Sequence, residues 1–297
     1  MQKQINGILL LDKPPGITSN HALQKVKRLF QAKKAGHTGS LDPIATGMLP
    51  ICFGQATKFS QFLLSSDKHY YVTARLGVTT TTGDCEGEVV TKRSIETITA
   101  SAIEAVLNDF IGESEQIPPM YSALKYHGKP LYELARAGIE VEREARKINI
   151  YSLTIENWNG REAQFHVHCS KGTYVRTLIA DIGERLACGA HVVGLRRSMV
   201  SMYQQAAMHT LDSLEKIASD GAALSACLLP MESAVEGFPE VKLTTAAAFY
   251  LRTGQSVRAS SSLLTNEFVR LISEDRRFLG IGMVMPDGRI KPVRLLA

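Results

Sequence analysis

The chain has 297 residues and a mass of 32.5 kDa, with 44% hydrophobic and 21% charged residues, a globular balance that excludes disordered, collagen-like and coiled-coil classes. No apolar run approaches the ~18–20 residues of a membrane span. The net charge of +5 is unevenly spread: seven basic side chains face one acidic over residues 1–41, and nine face five over 240–297.

Two basic ends suit a polyanion held along an extended surface, although charge alone is equally met by lysines solvating surface helices. Five widely spaced cysteines with no C-x-x-C pair exclude a disulfide framework or zinc ribbon and point to a reduced, cytoplasmic protein. Asn6 to Leu11 reads as a buried strand that runs straight into Asp12-Lys13-Pro14-Pro15-Gly16 with no small-residue cleavage site, which argues against a secretory leader. Thr18-Ser19-Asn20 offers capping chemistry for a helix with Leu23, Val26, Leu29 and Phe30 inward and Lys25, Lys27 and Arg28 off that stripe. Residues 69–78 read as a strand in which either Tyr70 or Tyr71 must face inward, and Ile103 to Phe110 as a helix. Residues 115–147 open on Ile117-Pro118-Pro119-Met120 and mix glycines with charges, the pattern of an excursion from the core. From Gln164 to Cys169 apolar residues alternate, and a turn at Lys171 to Tyr174 leads into a helix with Val175, Leu178, Ile179, Ile182 and Leu186 on one stripe and Gly189 as its stop. Breakers between Ala222 and Pro239 mark a boundary. Beyond it a short helix at 244–251 and strands at 268–272, 278–285 and 290–295 predict a small β-rich module.

The densest chemistry lies in Gly36-His37-Thr38-Gly39-Ser40-Leu41-Asp42-Pro43-Ile44-Ala45-Thr46-Gly47, where glycines and prolines fix a loop around a histidine and a carboxylate. Asp42 is ionised near neutral pH and suits a nucleophile or base; on composition alone the segment is equally a turn with a surface histidine. A zinc reading of His166, His168, Cys169, Cys188 and His191 fails because the two strand histidines face away from Cys169. Gly83-Asp84-Cys85-Glu86-Gly87 lacks calcium-loop spacing and reads as a turn. The glycines around Asp42 lack a P-loop ending.

Gly39-Ser40-Leu41-Asp42-Pro43-Ile44-Ala45-Thr46-Gly47 resembles the catalytic segment of the pseudouridine synthase family. Leu11 to Gly16 resembles its earlier Lys-Pro segment, and Ser170 to Leu178 its later arginine-bearing one, in the family's order. Lys68-His69-Tyr70, Pro118 to Lys125 and Gly189 to Arg197 extend the likeness to the bacterial transfer-RNA branch over nearly the whole chain. The resemblance implies an α+β fold, a mixed, largely antiparallel sheet flanked by helices over 1–237, with a thumb-like insertion at 115–147. It also implies a small barrel-like PUA RNA-binding domain over 238–297. The implied reaction isomerises uridine 55 in the T loop of transfer RNA by base flipping, without metal or cofactor.

By the same resemblance Asp42 is the catalytic aspartate and Arg176 its paired arginine. Tyr70 lies against the target base, Tyr174 and Leu195 line the pocket, and His37 fills the space left by the extruded base. The expected partner is the T arm of transfer RNA, with no membrane or metal, and the protein is expected to be a monomer. Two rivals are an RNA-binding or RNA-folding protein with an incidental aspartate and a metal-dependent nuclease. A lone carboxylate in a loop that approaches phosphates repels them, which disfavours the first; a nuclease needs clustered carboxylates, which this loop lacks.

Overall fold

In the computed structural model, which describes residues 3–205, 208–258 and 265–296, the N-terminal apolar run forms β1 (Gly7–Lys13). Leu9 and Leu11 enter one core cluster and Ile8 and Leu10 a second, so the strand is buried on both faces and its sequence does not alternate. The Thr18 hydroxyl accepts the His21 N–H and caps α1 (Ser19–Leu29), which buries Leu23 and Val26 and leaves Lys25 and Arg28 exposed.

The segment expected to be loop from Gly36 onward is shorter than its glycines and prolines suggest. β2 (Ala35–His37) and β3 (Thr46–Phe53) leave only residues 38–45 irregular. Pro50 is tolerated inside β3 because its carbonyl accepts the Thr38 N–H. The missing proline donor thus faces the 38–45 loop, where β3 has left its other neighbour, not the β1 ladder. After α2 (Ser60–Leu64), β4 (Lys68–Leu76) buries Tyr70, Val72 and Ala74 and exposes Tyr71, and it stops before Gly77 at φ +82°. The hairpin β5 (Val78–Thr80) and β6 (Val89–Lys92) follows, then α3 (Ala100–Leu107) and β7 (Gly112–Gln116).

The excursion is narrower than 115–147. Glu115 and Gln116 belong to β7, where they pair with Lys147 and Arg146, so it spans 117–145 and holds β8 (Lys125–Tyr126), β9 (Lys129–Pro130) and α4 (Leu131–Arg136). β10 (Arg146–Trp158) and β11 (Glu162–Cys169) form an antiparallel pair with Phe165, Val167 and Cys169 buried. α5 (Val175–Arg185) buries the expected stripe, although Ala187 at φ +59°, not Gly189, first takes the left-handed turn that ends it. β12 (Ala190–Val200), β13 (His209–Thr210) and α6 (Leu211–Ser219) complete the larger unit.

Its nine-stranded sheet runs β13-β1-β3-β12-β4-β11-β10-β7, with β2 added beside β3. The β1–β13 and β3–β12 pairs are parallel and the others antiparallel, so the sheet is mixed. β3 and β12 touch only at Thr46–Arg196 and Gly47–Arg197 and then part; this divergence opens the centre of the sheet. Gly47 is required there, since a Cβ would lie 2.3 Å from the Arg197 carbonyl oxygen.

β14 (Glu240–Leu243), α7 (Thr245–Arg252), β15 (Val257–Arg258), β16 (Phe268–Ser273), β17 (Phe278–Val284) and β18 (Arg289–Leu295) form the C-terminal module. Its curled half-barrel sheet has the order β14-β16-β17-β18-β15. It packs Phe268, Phe278 and Ile281 onto Phe59, Phe62 and the second face of β1 and β3. No helix among the described residues is long and apolar enough to cross a membrane.

Candidate active site

Asp42 sits in the 38–45 loop where β3 and β12 separate, and four side chains set its position. Ser19, at the start of α1, accepts the Leu41 N–H at 2.7 Å and donates to the Leu41 carbonyl at 3.1 Å. Lys13, fully buried at the end of β1, donates to the carbonyls of Pro14, Ile17 and Pro43 at 2.9, 2.8 and 3.3 Å. Arg197 on β12, also buried, donates to Met48 and Gly39 carbonyls at 2.7 and 3.1 Å. Arg176 grips the carboxylate itself, Nε to Oδ2 at 2.8 Å and Nη2 to Oδ1 at 3.2 Å, a two-point contact that fixes the plane of the carboxylate as well as its position.

Arg176 is in turn held from three other directions. Nη1 donates to the Thr82 carbonyl at 2.7 Å and lies 3.5 Å from Asp84, and Nη2 donates to the Tyr121 carbonyl at 2.7 Å. Its side chain is 6% exposed and that of Asp84 3%, whereas that of Asp42 is 37% exposed. One guanidinium therefore serves two carboxylates, and only one of them is presented to a ligand. Burial raises the Asp42 carboxyl above its ordinary value and the Asp84 charge adds to the rise, while Arg176 opposes it. Burial pushes the Lys13 ammonium down to about 8, with Asp42 pulling the other way.

The other expected residues converge on this point to different degrees. Tyr70, buried in β4 opposite Arg197, has its hydroxyl pushed up by burial and feels both Arg197 and Asp42. Tyr174, immediately before α5, is locked by Gln116. Its N–H donates to Gln116 Oε1 at 2.8 Å and its carbonyl accepts from Nε2 at 3.2 Å. Its phenol is raised by burial and also feels Asp42. Leu195 lies opposite Val72 and, with Ile44, Thr46, Tyr71 and Glu156, lines an open cleft of about 500 Å³. A second cleft of about 530 Å³ runs beneath the excursion, with Met120, Tyr121 and Arg176 among its walls. His37 ends β2, apart from the Asp42–Arg176 pair. Its buried Nδ1 has no hydrogen-bond partner, and burial followed by Arg197 holds it below its ordinary pKa.

Lys13, Ser19, Asp84, Gln116 and Arg197 carry the geometry of the site, and residue-type reasoning assigned them nothing. The acidic turn at 83–87 is a turn as expected, yet it buries Asp84 against Arg176 across 92 positions of sequence. Lys13 and Arg197 were invisible for another reason: their partners are backbone carbonyls, which no residue code reports. His191 Nδ1 lies 2.8 Å from the Val78 carbonyl, which ties β12 to β5.

Family models match along most of the chain. Residues 27–175 match the TruB family pseudouridylate synthase N-terminal domain, 176–236 the tRNA pseudouridylate synthase B C-terminal domain, and 239–296 the pseudouridine synthase II TruB C-terminal domain. The chain is 53% identical over 297 residues to the tRNA pseudouridine synthase B of Coxiella burnetii strain RSA 493, covering 99% of this chain and 96% of the relative. It is 54% identical over 303 residues to the enzyme of that name from Yersinia enterocolitica, covering 99% and 92%. A Cbf5-Nop10-Gar1 complex contains a chain with TM-score 0.75 at 26% identity, covering 98% of this chain and 83% of that one. An H/ACA RNP bound to a substrate RNA containing 2′-deoxyuridine contains another with the same TM-score at 23% identity, over 98% and 85%. With the aspartate loop, its arginine and the divided mixed sheet in place, these matches show that the chain belongs to the TruB family of pseudouridylate synthases.

Proposed function

We propose that the protein isomerises uridine 55 in the T loop of transfer RNA, with Asp42 as the catalytic carboxylate and no cofactor. The relatives' shared name supplies the substrate class. The observation that supports the chemistry is the two-point Arg176 clamp on a carboxylate left partly exposed. In this isomerisation the N1–C1′ bond breaks, the uracil turns, C5 joins C1′, C5 loses its proton and N1 gains one, so no atom or electron is left over. Attack on the uracil ring, attack on C1′ and removal of a ribose proton all require Asp42 ionised and aimed, and Arg176 favours both. Tyr70 offers a stacking ring and a neutral hydroxyl for proton relay at C5. Tyr174 and Leu195 bound the base, and His37 fills the gap left in the RNA loop, offsetting an extrusion cost of a few kcal/mol.

Tritium release from a T-arm hairpin carrying 5-tritiated uridine only at position 55 tests the reading. The parent protein should release it with chelator present. Asp42→Asn should release none while binding the hairpin within about tenfold, ~1.4 kcal/mol, of the parent. Turnover by repurified Asp42→Asn, or no release from the labelled position 55 by the parent protein, contradicts the assignment.

A further inference from the structure

The C-terminal module covers the outer face of β1 and β3 and leaves the outer face of β4, β11 and β10 open. Histidines and tyrosines fill that uncovered half. His69 lies directly opposite His168, and Tyr71 opposite His166. The His69 and His168 rings stack at 3.9 Å and 12°, and His69 Nδ1 lies 3.4 Å from His166 Nε2. Tyr71 flanks His166 at 5.1 Å and Tyr151 flanks His168 at 4.7 Å, closing the row at both ends.

The charges nearby decide what such a face can accept. Its carboxylates include Asp67, which accepts a hydrogen bond from the Tyr151 hydroxyl at 3.3 Å, and Glu156. The neighbouring guanidiniums are already engaged, Arg75 with Glu162 and Arg196 with Asp12, both at 2.8 Å or less. A phosphate-bearing ligand would meet aromatic rings with both of those guanidiniums already engaged, so stacking would supply most of its hold against the carboxylates. A cation meets neither obstacle.

We propose that this face binds one divalent transition-metal ion of the zinc, nickel or copper class, chelated by His69 Nδ1 and His166 Nε2, with His168 as a third ligand. The separation is the argument. Two imidazole nitrogens each about 2.1 Å from one ion at a tetrahedral angle stand about 3.4 Å apart, the spacing already present between strands. Metal-free, the two nitrogens face each other at 3.4 Å. An ion in that place requires both of them to be free of protons, with each ring's N–H on its far nitrogen. His168, stacked on His69, completes a third bond by rotating its ring. Among the described residues no three ligand groups converge as they stand, so that rotation is part of the proposal. The chelate would tie β4, the strand that carries Tyr70, to its neighbour β11; side chains alternate along β4, so His69 and the ion lie on the face opposite Tyr70 and take no part in the isomerisation.

Tag-free, chelator-stripped protein titrated with Zn²⁺ alone tests this by calorimetry and by histidine-ring NMR. One saturable site is expected at about pH 7.5, weakened at least about tenfold by His69→Asn or His166→Asn and strongly by acidification to about pH 5.5. Of the eight histidines, only the rings of His69, His166 and His168 should shift. The NMR arm uses unaltered protein, so it decides even if a variant folds poorly. Absence of 1:1 binding, shifts confined to other histidines, or unchanged affinity in both variants overturns the site; unchanged affinity in His168→Asn removes the third ligand.

Discussion

Asp42 and Asp84 differ in what surrounds them more than in chemistry. Both reach Arg176, but Asp84 is enclosed and Asp42 is partly exposed, so one carboxylate anchors the guanidinium and the other is presented by it. Removing Arg176 would leave Asp84 buried without its counter-charge, a penalty of about 3–5 kcal/mol that mixes folding with catalysis. A variant at Asp84 separates the effects better. Asp42 is raised by burial and by the Asp84 charge, so the acid limb of the single-turnover rate should lie above the usual carboxylate value of 3.8. Asp84→Asn removes a like charge, which eases ionisation of Asp42, so the limb should move to lower pH even as the loosened Arg176 lowers the plateau rate. A limb that stays put or moves upward would mean that Asp84 does not act on Asp42 through its charge.

At the scale of elements, the excursion over 117–145 is tied to the site at its root and open at its tip. The Tyr121 carbonyl accepts from Arg176, and Arg143 donates to the Pro118 carbonyl and pairs with Glu140. Beyond that root only Ser122 and Leu131 are buried, while Lys125, Lys129 and Arg136 are exposed. Arg143 is therefore engaged internally, and Arg146 and Lys147 sit on β10 at the root, so Lys125, Lys129 and Arg136 are the exposed phosphate-contacting candidates of the excursion itself. So little burial places the segment at the low-stability end of the fold. Backbone amides over 123–145 should exchange hydrogen quickly in the free protein and slow markedly with a T-arm hairpin bound. Equal protection in both states would show a pre-formed clamp instead of ordering on binding.

At the scale of the molecule, the C-terminal module supplies one wall of the second core and carries exposed cations. Phe62 meets Phe238 and Phe268 edge-on at 5.3 and 5.4 Å, and Lys58 donates to the Leu295 carbonyl at 2.8 Å. Deleting residues 240–297 would uncover Ile8, Leu10, Met48 and Phe59, so loss of RNA binding in such a truncation would be confounded by unfolding. Lys291 and Arg294 are exposed on β18 and have no carboxylate within ion-pair distance among the described residues. Changing both to Gln should keep the fold and lower the slope of log affinity against log salt by up to about two, with the single-turnover rate at saturating RNA unchanged. An unchanged slope would remove β18 from the RNA-contacting surface.

The sequence by itself determined the strands and helices whose burial is one-sided and local. The stripes of α1 and α5, the alternation in β4 and β11 and the three C-terminal strands could be read because periodicity reports which face is covered. It also picked out Asp42 and Arg176, through short segments whose residue types and order resemble a family. β3 was hidden by Pro50 and by burial on two faces, which erases alternation, and the ends of the excursion were misplaced because β7 and β10 pair across it. Only the tertiary structure decided that Lys13 and Arg197 hold the Asp42 loop and its flanks by their carbonyls, that Asp84 shares Arg176, and that His69 meets His166. Each of those contacts joins distant segments through backbone atoms or cross-strand register, and a linear code carries neither.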